Sequence, residues 1–143
     1  MLLSFAYFNA VLLRGVDTVQ TAVRVIEFIQ SEKPEATIVD GDGIAAGVVD
    51  QLKHRGFERK LHEFHGGPRA LNHSKYFNRR AEVWGLMADW LKAGAEIPDD
   101  PELEVDLVGL QYGYSAQNQI QLEKKEDMKR RGLDLPDMGE AWL

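Results

Sequence analysis

The stretch over residues 36–54 restricts the fold more than any other part of this sequence. Residues 36–40 read ATIVD, a short apolar run that predicts a buried strand ending in the carboxylate of Asp40. The next three residues, GDG, predict a turn, because glycine adopts backbone conformations that other residues avoid. Apolar residues then recur at helical spacing over residues 44–54, and Gly56 predicts the stop. A strand, a glycine turn and a helix are the unit from which open α/β sheets are built.

Strands and helices also alternate along the rest of the chain. Asp17 with Gln20 three residues later is typical of a capping box, and the helix that it begins is expected to run to about residue 33, before Pro34. Asn78 predicts the N-cap of another long helix, which ends near Lys92. The other predicted strands cover residues 2–13, 61–65, 110–114 and 119–122. The predicted short helices cover residues 102–107, 124–131 and 136 onward. The alternation predicts an α/β layer fold.

Composition excludes several classes of function. A chain of 143 residues without an internal repeat or a low-complexity linker is expected to form a single domain over residues 1–143. There is no cysteine, which excludes disulfide scaffolds, cysteine zinc sites and thiol catalysis. No apolar run approaches the roughly 18 residues that cross a bilayer, so we expect no membrane partner. The net charge of −6 excludes a wholly basic nucleic-acid coat, but not a local DNA-binding patch or a cation site.

Asp40 and the turn after it allow three interpretations. Ligands of open α/β sheets usually bind at the carboxyl ends of strands, which is where Asp40 is predicted to lie. A nucleotide loop is one possibility, although Gly41, Gly43 and Gly47 have one residue too many before the last glycine. A metal site is the second, because hard cations prefer carboxylate oxygens. The third is purely structural, with Asp42 capping the helix and Asp40 simply ending the strand.

A metal site needs further carboxylates from elsewhere in the chain. Asp137 and Glu140 are candidates, since residues three apart share one face of a helix. The alternative is an ordinary helix start, where acidic residues interact favourably with the helix dipole. Among the histidines, only His65 is a candidate, because it ends a predicted strand.

Basic residues form a candidate nucleic-acid patch around Lys75, Arg79 and Arg80, interleaved with Tyr76 and Phe77. Such a patch can follow phosphates even in a chain of negative net charge. The alternative is a set of solvated helix faces.

Several segments together resemble a known family. The run VDGDGIAAGVVDQL over residues 39–52 resembles the second acidic motif of the large terminase subunits of tailed phages. The run YFNRRAEVW over residues 76–84 also resembles this family, as does QIQLEKKEDMKRRG over residues 119–132, which matches the strand and helix before the last acidic motif. Residues 135–141, LPDMGEA, resemble the start of that motif. The resemblance covers the chain from about residue 15 onward and is to the nuclease domain of the family.

The resemblance implies a fold and an activity. The fold would be RNase H-like, a mixed sheet with flanking helices, and the family's activity is two-metal cleavage of double-stranded DNA during genome packaging. Asp40 matches the central carboxylate and Glu140 the last one, where the family usually has aspartate, while Asp137 lies in the same motif. The implied cofactor is Mg²⁺ or Mn²⁺, weakly bound. The implied partners are DNA, the small terminase and the portal, in the cytoplasm of a host cell that carries a phage or prophage.

The chain also departs from the family pattern. The strand that carries the family's first catalytic aspartate has no counterpart before residues 2–13, the closing helix stops after Leu143, and no ATPase motor is present. We therefore expect a partial nuclease domain, lacking the first strand and the end of the last helix, with little or no cleavage activity. The alternatives are a non-catalytic DNA- or protein-binding module of the packaging machinery, and a small α/β nucleotide-binding protein.

Overall fold

The computed structural model describes residues 13, 15–43 and 45–141. These residues fall into two compact units, which meet in sequence between Gly66 and Gly67. We call the described residues up to 66 the amino-terminal unit and residues 67–141 the carboxy-terminal unit. The strand predicted over residues 2–13 lies almost wholly outside the described residues.

The amino-terminal unit begins with helix α1, Thr18–Glu32. The predicted capping box is confirmed: Gln20 N donates to Asp17 Oδ1 at 2.7 Å, and Asp17 N donates to Gln20 Oε1 at 3.1 Å. Both bonds satisfy amides that have no partner inside the helix. The helix ends where Lys33 takes a left-handed conformation, with φ of 49°, just before Pro34.

A parallel strand pair follows α1 and places the glycine turn. Strand β1, Thr37–Asp40, leads through the turn into helix α2, Ala45–His54. A 3₁₀ turn that the sequence pattern did not predict, Glu58–Lys60, then precedes strand β2, Leu61–Phe64. The two strands pair with Asp40 opposite Phe64, so that both carboxyl ends lie at the same edge.

The core of the amino-terminal unit lies between α1 and α2. Ala22 and Leu52 have no exposed surface, and Val48 packs with them. Partly buried apolar residues of α1, both strands and the intervening loop surround this cluster: Val25, Ile26, Val39, Phe57 and Leu61. The apolar spacing that predicted α2 is therefore the spacing of its core face.

The carboxy-terminal unit is built on helix α3, Arg79–Lys92, and a hairpin. Asn78 caps α3 as predicted, since Ala81 N donates to its Oδ1 at 3.0 Å. Strand β3, Tyr112–Tyr114, pairs antiparallel with strand β4, Ile120–Leu122. The buried Ala70, Tyr76 and Ala81 form the core here, with Ile120 and Leu122 packed against them.

Three shorter helices complete the carboxy-terminal unit: α4, Pro101–Gly109, α5, Lys125–Arg130, and α6, Asp137–Ala141. Helix α4 extends past the predicted end at Leu107, and β3 begins later than predicted, at Tyr112. The predicted α/β class is confirmed, with two two-stranded sheets among the described residues. None of the described helices is long and apolar enough to cross a membrane.

A buried carboxylate ties the loop before α3 to that helix. Glu82 is only 6% exposed, and its two oxygens accept bonds of 2.8 Å from the amides of Leu71 and Asn72. The Asn72 amide lowers the pKa of the Glu82 carboxyl most; burial opposes this, and the Leu71 amide and the charge of Arg79 add to the lowering. The ionised form of Glu82 therefore stabilises the fold.

Replacing Gly85 tests the packing of the carboxy-terminal core. A methyl group at Gly85 would lie 2.4 Å from the Oη and Cε1 of Tyr76, which is only 2% exposed. Overpacking costs about 1–3 kcal/mol, which exceeds the roughly 1 kcal/mol that alanine gains over glycine inside a helix. We expect Gly85→Ala to lower the free energy of unfolding in urea. Gly109→Ala is the control, because its added methyl group meets only Leu133 at 3.6 Å; equal losses in both variants would contradict the packing.

The acid dependence of stability tests the role of Glu82. Because its pKa is lower in the folded chain, its stabilisation is complete above the ordinary glutamate value of about 4.3 and is lost as the pH falls through the lowered value. We expect the melting temperature of Glu82→Gln to lie below that of the wild type at neutral pH, and the difference to close in acid. Glu96→Gln, at an exposed position, should show no such difference. A difference independent of pH would refute this role.

Candidate functional site

Asp40 occupies the position that the sequence predicted for it. It is the last residue of β1, it is exposed, and the parallel pairing continues past it, because Gly41 N donates to Phe64 O at 2.8 Å. Its Oδ1 accepts a hydrogen bond of 2.9 Å from Asp42 N. Its Oδ2 has no hydrogen-bond partner among the described residues. Within the described part of the chain, the carboxylate is therefore held through one oxygen, and its other oxygen is open.

Asp42 joins the loops that follow the two strands. Its Oδ1 accepts a hydrogen bond of 2.8 Å from His65 Nδ1, and its Oδ2 accepts one of 3.3 Å from Gly66 N. The bond from His65 is the main reason why the pKa of Asp42 is lowered, and the same bond is the main reason why the pKa of His65 is raised. The described bonds of the Asp42 carboxylate run to the loop after β2; residue 44, whose amide a helix cap at Asp42 would engage, lies outside the described residues, so the structural interpretation stays a prediction.

A second acidic residue lies on the other side of the His65 ring. Glu63 Oε2 is 3.7 Å from His65 Nε2, and the other oxygen of Glu63 pairs with Lys53 of α2. The bond from Lys53 is the main reason why the pKa of Glu63 is lowered. His65 therefore lies between two carboxylates at the carboxyl ends of the strands. The sequence predicted only that His65 ends a strand. Its bond to Asp42 could not be predicted, because Asp42 is 23 residues away along the chain.

Glu140 lies in a different setting, in the carboxy-terminal unit. Its Oε1 accepts a bond of 2.9 Å from Arg80 Nε, and its Oε2 accepts one of 2.8 Å from Lys125 Nζ. The side chain is 22% exposed. Arg80 is also bound through a second nitrogen, which donates to the carbonyl of Glu123 at 3.3 Å. Both oxygens of Glu140 are thus paired with cations.

Helix α6 brings Glu140 to these partners through a close approach at Gly139. Gly139 N donates to Asp106 Oδ2 at 3.0 Å, and a methyl group at Gly139 would lie 2.9 Å from Cη2 of Trp84. A larger residue would push α6 away from α3 and α4. Asp137, in the first turn of α6, is exposed, and its carboxylate has no hydrogen bond within residues 67–141.

The three basic residues of the candidate nucleic-acid patch each lie near an acidic residue. Lys75 Nζ is 3.6 Å from Asp89 and 4.9 Å from the centre of the Tyr76 ring. Arg79 Nε is 3.9 Å from Glu82, and Arg80 binds Glu140 as described. Lys75 and Arg79 are partly exposed, whereas Arg80 is mostly buried. The patch is thus partly neutralised by the protein's own carboxylates.

The described ranges contain no cluster of three or more histidine, aspartate or glutamate side chains arranged around a metal position. Each candidate carboxylate must therefore be considered by itself. The open oxygen of Asp40 suits a hard cation, which prefers carboxylate ligands. Glu140 offers carboxylate oxygens as well, but a cation that binds there competes with Lys125.

No protein-family model matches the sequence, and a search of curated proteins gives no match. Solved structures do match. A point mutant of the nuclease domain of the large terminase subunit gp2 of bacterial virus Sf6, with manganese, superposes with a TM-score of 0.75 at 18% identity, over 90% of this chain and 73% of that one. The same domain without the mutation superposes with a TM-score of 0.71 at 18% identity, over 87% of this chain and 70% of that one.

A further structure of the mutant Sf6 domain, with calcium, matches with a TM-score of 0.71 at 19% identity, over 90% of this chain and 71% of that one. At such identities the likeness establishes the fold. The resemblance to terminases drawn from residues 39–52, 76–84 and 119–141 is confirmed at that level. This chain has the RNase H-like fold of the nuclease domain of phage large terminase subunits.

Proposed function

We propose that this chain is the nuclease module of a phage large terminase subunit and that it cleaves double-stranded DNA during genome packaging. The observation that carries the proposal is the match to the Sf6 terminase nuclease domain over 90% of the chain. The matching structures of the mutant Sf6 domain were solved with manganese or calcium, which supports a divalent cation as the cofactor here, Mg²⁺ or Mn²⁺. By the same likeness, the proposed partners are the small terminase and the portal, in the cytoplasm of the host cell.

Asp40 is the proposed principal metal ligand. Its carboxylate stands at the carboxyl end of a parallel strand, the usual place for ligands of α/β sheets. One oxygen is fixed by the Asp42 amide, and the other is open, so binding a cation there breaks no described hydrogen bond. Divalent cations in such a site activate a water molecule and stabilise the leaving oxygen of the phosphodiester.

Glu140 is the second proposed ligand, and Asp137 the third. Glu140 offers two carboxylate oxygens to a cation, but both already pair with the cationic side chains of Arg80 and Lys125. The same ion pairs weaken its affinity for a metal, because Lys125 must be displaced first. We therefore expect weak cation binding and slow cleavage at most.

Replacing Asp40 tests the metal site. Asp40→Asn keeps the size of the side chain but removes its charge, so we expect Mn²⁺ affinity in calorimetric titration to fall by at least roughly 10- to 100-fold, as is typical when a metal site is disturbed. Any nicking of plasmid DNA with Mn²⁺ or Mg²⁺ should be lost in the same variant. Asp50→Asn is the matched control, since Asp50 is an exposed acid of the neighbouring helix. Mn²⁺ binding or nicking that is unaffected in Asp40→Asn would refute the site.

A second function is a DNA-binding module without cleavage. The observation in its favour is that Arg80 and Lys125 occupy both oxygens of Glu140. These ion pairs neutralise the charge that Glu140, a proposed metal ligand, would offer to a cation. Lys75, in the loop before α3, and Arg79, the first residue of that helix, are partly exposed and are available to DNA phosphates. Their ion pairs with Asp89 and Glu82 are long, at 3.6 and 3.9 Å, so DNA phosphates can compete with these pairs.

Salt dependence of DNA binding tests the basic patch. We expect Lys75→Ala and Arg79→Ala each to weaken binding similarly for all sequences, and each to reduce the slope of log affinity against log salt by roughly 1. Fluorescence anisotropy with a labelled duplex measures both quantities. Arg24→Ala, at an exposed position of α1, is the control and should leave the slope unchanged. Equal effects of all three variants would show that the patch has no special role.

A further inference from the structure

The loops after β1 and β2 are tied together by the Asp42 carboxylate. It accepts hydrogen bonds from His65 Nδ1 at 2.8 Å and from Gly66 N at 3.3 Å, and both donors lie in the loop after β2. Its own amide donates to Asp40 Oδ1 at 2.9 Å. A continuous chain of hydrogen bonds therefore runs from the loop after β2, through Asp42, to the carboxylate of Asp40.

The His65 ring also lies directly on the backbone of Gly41. A methyl group at Gly41 would lie 2.4 Å from the Cε1 of His65 and 2.7 Å from its Nε2. Gly41 is not among the glycines with positive φ, so its backbone conformation alone does not require glycine. The absence of a side chain at Gly41 is what lets the ring reach Asp42.

We propose that His65 is a positioning residue, which holds the loop that carries Asp40 and so presents the open oxygen of Asp40 to a divalent cation. This inference rests on the proposed function, because it assigns His65 a task at the proposed metal ligand. None of the described hydrogen bonds joins the ring to Asp40, and the ring acts through Gly41 and Asp42.

The direction of the hydrogen bonds explains why histidine serves here. An ionised carboxylate only accepts, so Nδ1 carries the proton of the bond to Asp42. Glu63, which is itself fixed by Lys53, lies 3.7 Å from the other ring nitrogen. The ring is therefore oriented from both sides, and a partner that orients a ligand in this way commonly changes metal affinity by about 10- to 100-fold.

Two substitutions of His65 separate positioning from general stability. His65→Ala removes the donor, whereas His65→Asn restores an N–H group close to the place of Nδ1. We expect His65→Ala to weaken Mn²⁺ binding of the full chain by about tenfold or more, with its melting temperature little changed, and His65→Asn to recover most of the affinity. His62→Ala, at an exposed histidine of β2, is the control and should bind Mn²⁺ like the wild type.

The double variant with Gly41 tests the contact itself. We expect Gly41→Ala alone to reduce Mn²⁺ affinity, because its methyl group displaces the ring. In the His65→Ala background the same change should have little further effect, because the clash is gone. Additive losses in the double variant would overturn the proposed contact.

Hydrogen exchange distinguishes failure of this inference from failure of the proposed function. The amides of Gly66 and Asp42 should exchange faster in His65→Ala than in the wild type. Unchanged exchange, with Mn²⁺ binding that depends on Asp40 but not on His65, would overturn the positioning role and leave the proposed function standing. Mn²⁺ binding that is the same in Asp40→Asn as in the wild type would overturn the proposed function, and the positioning role with it.

Discussion

The parallel pairing of β1 with β2 is the constraint on which the candidate metal site depends. Its register places Asp40 opposite Phe64, and the bond from Gly41 N to Phe64 O extends the pairing into the turn. A slip of one residue would turn every side chain of β1 to the opposite face. The buried cluster around Leu52 fixes this register, because Val39 and Leu61 pack against it from the two strands. The apolar core thus determines where the polar loop groups meet.

Features that depend on neighbouring residues could be predicted from the sequence. The capping box of Asp17 and Gln20 and the cap of Asn78 involve groups three residues apart, so local spacing contains the information. The strand that ends in Asp40 and the core face of α2 were predicted for the same reason. The resemblance to terminase nucleases added the fold class, which the superposition with the Sf6 domain confirms.

The contacts between distant residues could not be predicted in this way. His65 and Asp42 are 23 residues apart, and Arg80 and Glu140 are 60 apart, so no local pattern links them. The buried carboxylate of Glu82 was likewise missed, because α3 presents it to the amides of a loop and not to a residue of opposite charge. Such pairings are decided by tertiary packing, which composition and periodicity do not encode.

The docking of α6 and the proposed binding of a cation at Glu140 make opposing demands. A helix of five residues is too short to be stable alone, so α6 depends on its contacts. Those contacts are the bond from Gly139 to Asp106, the packing on Trp84 and the two ion pairs of Glu140. A divalent cation that displaces Lys125 takes over its charge but releases its hold on α6. Arg80 and Asp106 would then carry more of the docking, so a metal ion at Glu140 would require that these two contacts hold α6 without Lys125.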